Sequence, residues 1–331
     1  MTIMKKNNLI LKINSFIILL NIYLFFILKI DLNNPVKNYS YNNRGYKKSK
    51  FAILTRKCPK CGLFSDFNVH LGCIYQYLEL GYIPIIDLSS FKNVFNGFKL
   101  NKSKSNPWEI FFYQPFNYTL NNVKQKGKNI KYFECKSTYM PSNKIYNNSI
   151  LSNFWNSFEK KYMPIRFEII MESNYMFKHL FKGSKNILGI LMRGTDYIAR
   201  KPSAHPIPPE PDMVIKDINL LIKKRTYEWY FLATEDNKIR ERFKIEFGEK
   251  LKYLVYDKKL DYNYKAKEYL CFNDIVKGNI DFMKLYLLSI IILSRCIDIL
   301  CAQTSGSLAA FIIKNRYRYR YSKVYFLGYY P

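Results

Sequence analysis

Residues 187–197 read "ILGILMRGTDY", an apolar run that stops on Arg193, Gly194, Thr195 and Asp196. A short continuous apolar run bounded by polar residues and glycine suits a strand buried on both faces, as in a parallel sheet. The chain downstream keeps the rhythm of such a sheet. A loop with five prolines leads to a helix expected over 211–224, then a strand at 228–233 ("EWYFLA"). A helix over 237–247 closes on Gly248 and precedes a strand at 251–256 ("LKYLVY"). A helix over 281–294, a strand at 296–302 ("CIDILCA"), the loop "QTSGS", a helix over 307–314 and a strand "KVYFLG" complete the series.

The upstream half repeats the pattern more faintly. "FAILT" (51–55) reads as a buried strand, "CGLFSDFN" (61–68) as a loop, 69–80 as a helix and "YIPIIDL" (82–88) as a second strand. Residues 92–150 carry no periodic pattern, and 151–181 reads as helical. Alternating strands and helices predict an α/β protein with parallel sheets. The expected division is two facing Rossmann-like domains, 51–180 and 181–331. Ahead of them, 9–30 ("LILKINSFIILLNIYLFFILKI") is about long enough to span a bilayer, and no A-x-A-like cleavage site closes it. Residues 1–30 are therefore expected to be a single-pass membrane anchor and 31–50 a linker. Lysines flank the span on both sides, and the side of the membrane stays open.

The 331 residues carry a net charge of +28. Such a charge suits an anionic partner, but most of the lysines are scattered among abundant Asn, Ile, Tyr and Phe, as compositional drift leaves them. No zinc-finger, RNP1 or helix-turn-helix signature accompanies them, and nucleic acid is not an expected partner. Seven cysteines without regular spacing argue against a disulfide scaffold. Cys58-Pro59-Lys60-Cys61 has the spacing of half a zinc site, but no second pair accompanies it, and no metal is expected.

In open parallel sheets, ligands bind beyond the carboxyl ends of the strands. Gly62, Ser65 and Asp66 come after the strand at 51–55, and Arg193, Thr195 and Asp196 after the one at 187–192. Thr234, Glu235 and Asp236 come after 228–233, while Thr304, Ser305, Gly306 and Ser307 come after 296–302 and open a helix. Hydroxyls and amides at a helix start, with a glycine allowing close approach, suit a phosphate, and Arg193 supplies a fork for its oxygens. The other reading has Thr304 and Ser305 as a helix cap and Arg193 paired with Asp196. There is no P-loop, no G-x-G-x-x-G and no D-x-D, so a diphosphate here would be neutralised by protein donors alone.

Taken together, "MRGTDY" (192–197), "HPI" (205–207) and "LSRCIDILCAQTSGSLAAF" (293–311), with "CGLFSDFN" ahead of them, resemble the fucosyltransferase superfamily of α-1,6-, α-1,2- and protein O-fucosyltransferases. The likeness spans roughly 50–331. It implies a GT-B fold, a GDP-fucose donor, a glycan or glycoconjugate acceptor, and inverting transfer without a metal or other cofactor. By the same resemblance Arg193 grips the donor β-phosphate, Thr304, Ser305, Gly306 and Ser307 form a second donor contact, and Gly62 and Ser65 approach the diphosphate. Three positions depart from the pattern: Leu191 replaces a histidine, Gly194 a second arginine, and Lys201 the carboxylate proposed as base in α-1,6 members. Asp196 and His205, with Glu210 beside them, are the candidate bases. Another nucleotide sugar in the same fold, or a binding protein without catalysis, are the alternatives.

Overall fold

The structure, a computed structural model, describes residues 49–59, 61–97, 105–194, 196–255, 276, 278–314 and 319–331. The expected anchor at 9–30 and nearly all of the linker lie outside these residues, as does Thr195. No helix among the described residues is long and apolar enough to cross a membrane.

The chain is mixed α/β, and the two sheets among the described residues are both parallel. In the first half, β1 (Lys50–Thr55) is followed by α1 (Leu63–Glu79), β2 (Ile83–Ile86), the single turn α2 (Trp108–Phe111), α3 (Leu120–Lys126) and β3 (Asn129–Glu134). The sheet order is β2-β1-β3, and the central strand is buried from Phe51 to Thr55. The stretch expected to be a loop, 61–68, is a helix from Leu63 onward. Gly62 is its N-cap in extended conformation, and Phe64, Phe67 and Leu71 fall on buried positions that anchor the first turns. β3 arises within 92–150, where the sequence shows no pattern, because an edge strand with Lys131 and Tyr132 exposed needs no apolar alternation.

Two helices, α4 (Ser149–Tyr162) and α5 (Phe167–Phe181), lead to β4 (Ile187–Leu191). Then come α6 (Asp196–Arg200), α7 (Pro211–Ile222), β5 (Trp229–Ala233), α8 (Asn237–Phe247) and β6 (Leu251–Lys252). The chain resumes with α9 (Ile280–Arg295), β7 (Asp298–Ala302), α10 (Ser305–Ile313) and β8 (Tyr321–Tyr325). The second sheet runs β6-β5-β4-β7-β8, with "ILGIL" at its centre and fully buried. β6 is two residues long, where the sequence suggested six; its expected last residue lies outside the described ones.

One core cluster joins the halves. It holds Ala52, Phe64 and Phe67 beside Leu287, Ile290, Leu308 and Ile312. Polar bonds cross the same seam: Asn68 Nδ2 donates to the Ser305 carbonyl at 2.9 Å, and Asn156 Nδ2 to that of Ile312 at 2.7 Å. Burial lowers the His70 pKa from 6.5 to about 3, and its Nε2 has no partner among the described residues. The native ring stays neutral while the unfolded chain takes up a proton below pH 6.5, so this group's contribution to stability falls as pH drops toward 3. A His70→Phe variant lacks that penalty. Its melting temperature relative to the parent is expected to rise as pH falls from about 6.5, and a difference independent of pH would refute the assignment.

Candidate active site

The carboxyl ends of β1, β4, β5 and β7 converge on one cavity of about 350 Å³. After β1 it is lined by Cys58, Cys61, Gly62 and Ser65; after β4 by Arg193 and Tyr197; after β5 by Glu235; after β7 by Thr304, Ser305 and Gly306. His205 and Pro202 form part of the wall. Of the candidate site residues, the structure therefore brings together Arg193, Gly62, Ser65, Thr304, Ser305, Gly306 and His205. Asp196 opens α6, next to this wall, and its side chain lies outside the described residues.

Ser307 is placed differently from expectation. It is fully buried, its Oγ accepts from the Thr304 amide at 2.8 Å, and it lies 3.0 Å from the Tyr146 hydroxyl. Thr304 Oγ1 accepts in return from the Ser307 amide, closing a capping box. The helix-cap reading thus holds for Thr304 but not for Ser305, since Ser307 is the other half of the box, and Ser305 and Gly306 present the open part of the first turn to the cavity. The four first amides of a helix have no partner within it, and the box uses those of Thr304 and Ser307, not those of Ser305 and Gly306. On the facing side Gly62 caps α1 without any side-chain bond and lines the cavity, so no capping side chain occupies the amides of this second helix start.

Arg193 pairs with Glu235, Nη1 to Oε1 at 3.2 Å; the Asp196 side chain, its other partner by spacing, lies outside the described residues. The same carboxylate oxygen accepts from the Gly194 amide at 3.2 Å, and the guanidinium lies 4.7 Å from the Tyr197 ring centre. Glu235 thereby fixes the turn that aims Arg193. Its position at a strand end is legible in the sequence; its partner is not, because the two strand ends meet only in the folded sheet. The three positions that depart from the motif resemblance are placed as follows. Leu191 is buried at the end of β4. A Cβ on Gly194 would lie 2.5 Å from that of Asp236, the residue that caps α8, so an arginine has no room there. Lys201 is exposed and does not line the cavity, and Glu210 is the exposed N-cap of α7.

The loop carrying His205 is held from behind. The Ala204 amide donates to the Tyr330 carbonyl at 3.0 Å, the Tyr330 amide to the His205 carbonyl at 3.0 Å, and the Ile207 amide to that of Gly328 at 2.9 Å. Behind Ser65, Arg56 bonds both Ser65 Oγ at 3.1 Å and Asp66 Oδ1 at 2.8 Å. Burial pushes the Asp66 carboxyl up to about 7 against the pull of that guanidinium.

Cys58 and Cys61, which share the spacing of half a zinc site, form a disulfide that the sequence reading did not anticipate. The bond closes a local loop, a pairing that an odd count and irregular spacing hide. Cys73, Cys135, Cys296 and Cys301 are free and buried. Among the described residues no group of three or more His, Cys, Asp or Glu side chains is placed to hold a metal.

No family model matches the chain, and no curated protein is significantly similar to it. Among solved structures it is similar to NodZ α-1,6-fucosyltransferase co-crystallised with GDP, with a TM-score of 0.48 and 13% identity over 80% of this chain and 92% of that one. It is also similar to a mutant of Arabidopsis thaliana FUT1 in complex with GDP, with a TM-score of 0.42 and 9% identity over 80% and 68%. A third is POFUT1 in complex with GDP, with a TM-score of 0.38 and 8% identity over 88% and 78%.

Proposed function

We propose that the cavity holds the diphosphate of a nucleotide sugar and that the protein is a glycosyltransferase of GT-B type. More particularly, the motif resemblance makes it a fucosyltransferase, moving fucose from GDP-fucose to a hydroxyl of a glycan or glycoconjugate. One observation carries this reading: Arg193 and the open first turn of α10, from one parallel sheet, share a cavity with the start of α1 from the other. An arginine fork and two helix starts are a donor set for a diphosphate.

In inverting transfer the acceptor oxygen bonds to the anomeric carbon as the bond from that carbon to the phosphate oxygen breaks. Arg193 and the α10 amides stabilise the charge that grows on the departing GDP. The acceptor proton passes to a base, for which His205, on the wall, and Asp196 are the proposed groups. Since the sequence has no D-x-D, charge on the diphosphate is proposed to be met by these donors without a metal. Residues 9–30 are proposed as the membrane anchor.

The test is a thermal-shift series on the full chain with GDP, GDP-fucose and other nucleotide sugars, with and without EDTA. GDP and GDP-fucose are expected to raise the melting temperature most, and EDTA to leave the shifts unchanged. A shift abolished by EDTA and restored by manganese or magnesium would contradict the metal-free assignment; a stronger shift with another nucleotide would change the donor.

A further inference from the structure

Gly306 is the second residue of α10, and its backbone is not in the left-handed region. Something other than conformation must therefore account for the missing side chain. A Cβ there would come within 2.5 Å of the Tyr286 hydroxyl. Tyr286 projects from α9, its ring meets Phe64 of α1 edge-on with centroids 4.8 Å apart, and it lines the cavity. The phenol is thus wedged between the two helix starts, with its oxygen against the open turn of α10. Resting on the nucleotide-sugar reading, we propose that Tyr286 is a further diphosphate-binding residue, whose hydroxyl donates to a phosphate oxygen beside the Ser305 and Gly306 amides.

The chemistry has a clear need for it. Apart from Ser65, the cavity wall contributed by α9 and the start of α1 is otherwise apolar, with Leu63, Phe64, Phe282 and Met283. A diphosphate without a metal spreads its charge over several oxygens, and a neutral hydroxyl on a rigid ring adds a donor without adding a mobile charge. Gly306 keeps the path between hydroxyl and helix end open. Phe64 supports the ring from the other half of the protein, so the donor is oriented before the ligand arrives.

Titrations of the full chain with GDP, inorganic pyrophosphate and guanosine test this, with melting temperature read on the same samples. Tyr286→Phe is expected to weaken GDP and pyrophosphate about tenfold and to leave guanosine affinity and melting temperature unchanged. Gly306→Ala, whose methyl group displaces the phenol, is expected to give a similar loss, and the double variant no greater loss than either alone. Unchanged pyrophosphate affinity in Tyr286→Phe would overturn the proposal. So would an equal loss for guanosine, since that marks a change of cavity shape rather than a lost phosphate contact. A parent protein that binds neither GDP nor pyrophosphate overturns the nucleotide-sugar reading itself; one that binds both, with Tyr286→Phe its equal, overturns only the role of Tyr286.

Discussion

Arg193→Ala is expected to fold and to bind GDP roughly ten- to a hundredfold more weakly than the parent, a loss of about 1.5–3 kcal/mol for a charge-assisted contact. Two effects add to each other. The substitution removes the guanidinium proposed to grip the diphosphate, and it leaves Glu235, only 8% exposed, without the cation it pairs with at 3.2 Å. With this guanidinium gone, the Glu235 carboxylate on the wall repels the ligand and deepens the loss. Arg193→Lys keeps the charge and loses the fork, so an intermediate affinity is expected. Isothermal titration of all three proteins, with melting temperatures alongside, decides the matter. Undiminished GDP binding by a folded Arg193→Ala protein would remove the site's main support.

The largest effect on stability is expected at Gly72, in the middle of α1. A Cβ there would overlap the carbonyl oxygen of Tyr139 and lie 2.5 Å from the carbonyl carbon. Alanine in an open helix would gain about 1 kcal/mol over glycine. Here the neighbour is backbone, which cannot swing aside as a side chain does, and overpacking costs of about 1–3 kcal/mol or more apply. The clash wins, and Gly72→Ala is expected to lose about 2 kcal/mol or more in urea denaturation. Gly62 is the control: a Cβ there meets nothing within 4 Å, its backbone is extended, and Gly62→Ala is expected to cost about 0.5–1 kcal/mol as a cap. Gly72→Ala as stable as the parent would mean that the segment around Tyr139 does not press on the helix.

How far an element is legible in the sequence depends on how it meets solvent. β4 and β7 are buried along their whole length, so "ILGIL" and "DILCA" announce themselves as apolar runs. β3 lies at an edge with polar residues on both faces, and α1 hides its first turn behind Gly62 and a serine-aspartate pair. The strand-end rule found most of the cavity, because it depends only on where apolar runs stop. It could not say which hydroxyl of Thr304-Ser305-Gly306-Ser307 faces inward, since a capping box and an anion site use the same residue types. Nor could it find Tyr286. A tyrosine in an apolar helix looks like core, and only the packing of α9 against the start of α10 gives its hydroxyl a place.

The shared core beneath the cavity bears on how a ligand gets in. Phe64, Leu287 and Ile312 belong to one apolar cluster, and Asn68 and Asn156 tie α1 and α4 to the backbone of α10. Wide jaw-like opening would tear that cluster apart, so entry has to proceed by movement of local loops instead of a hinge between halves. Heat meets the same obstacle. Each half also has a smaller cluster of its own on the other face of its sheet, but β1 and β4 carry residues of the shared core as well, and a scanning calorimeter should record one endotherm whose van't Hoff and calorimetric enthalpies agree.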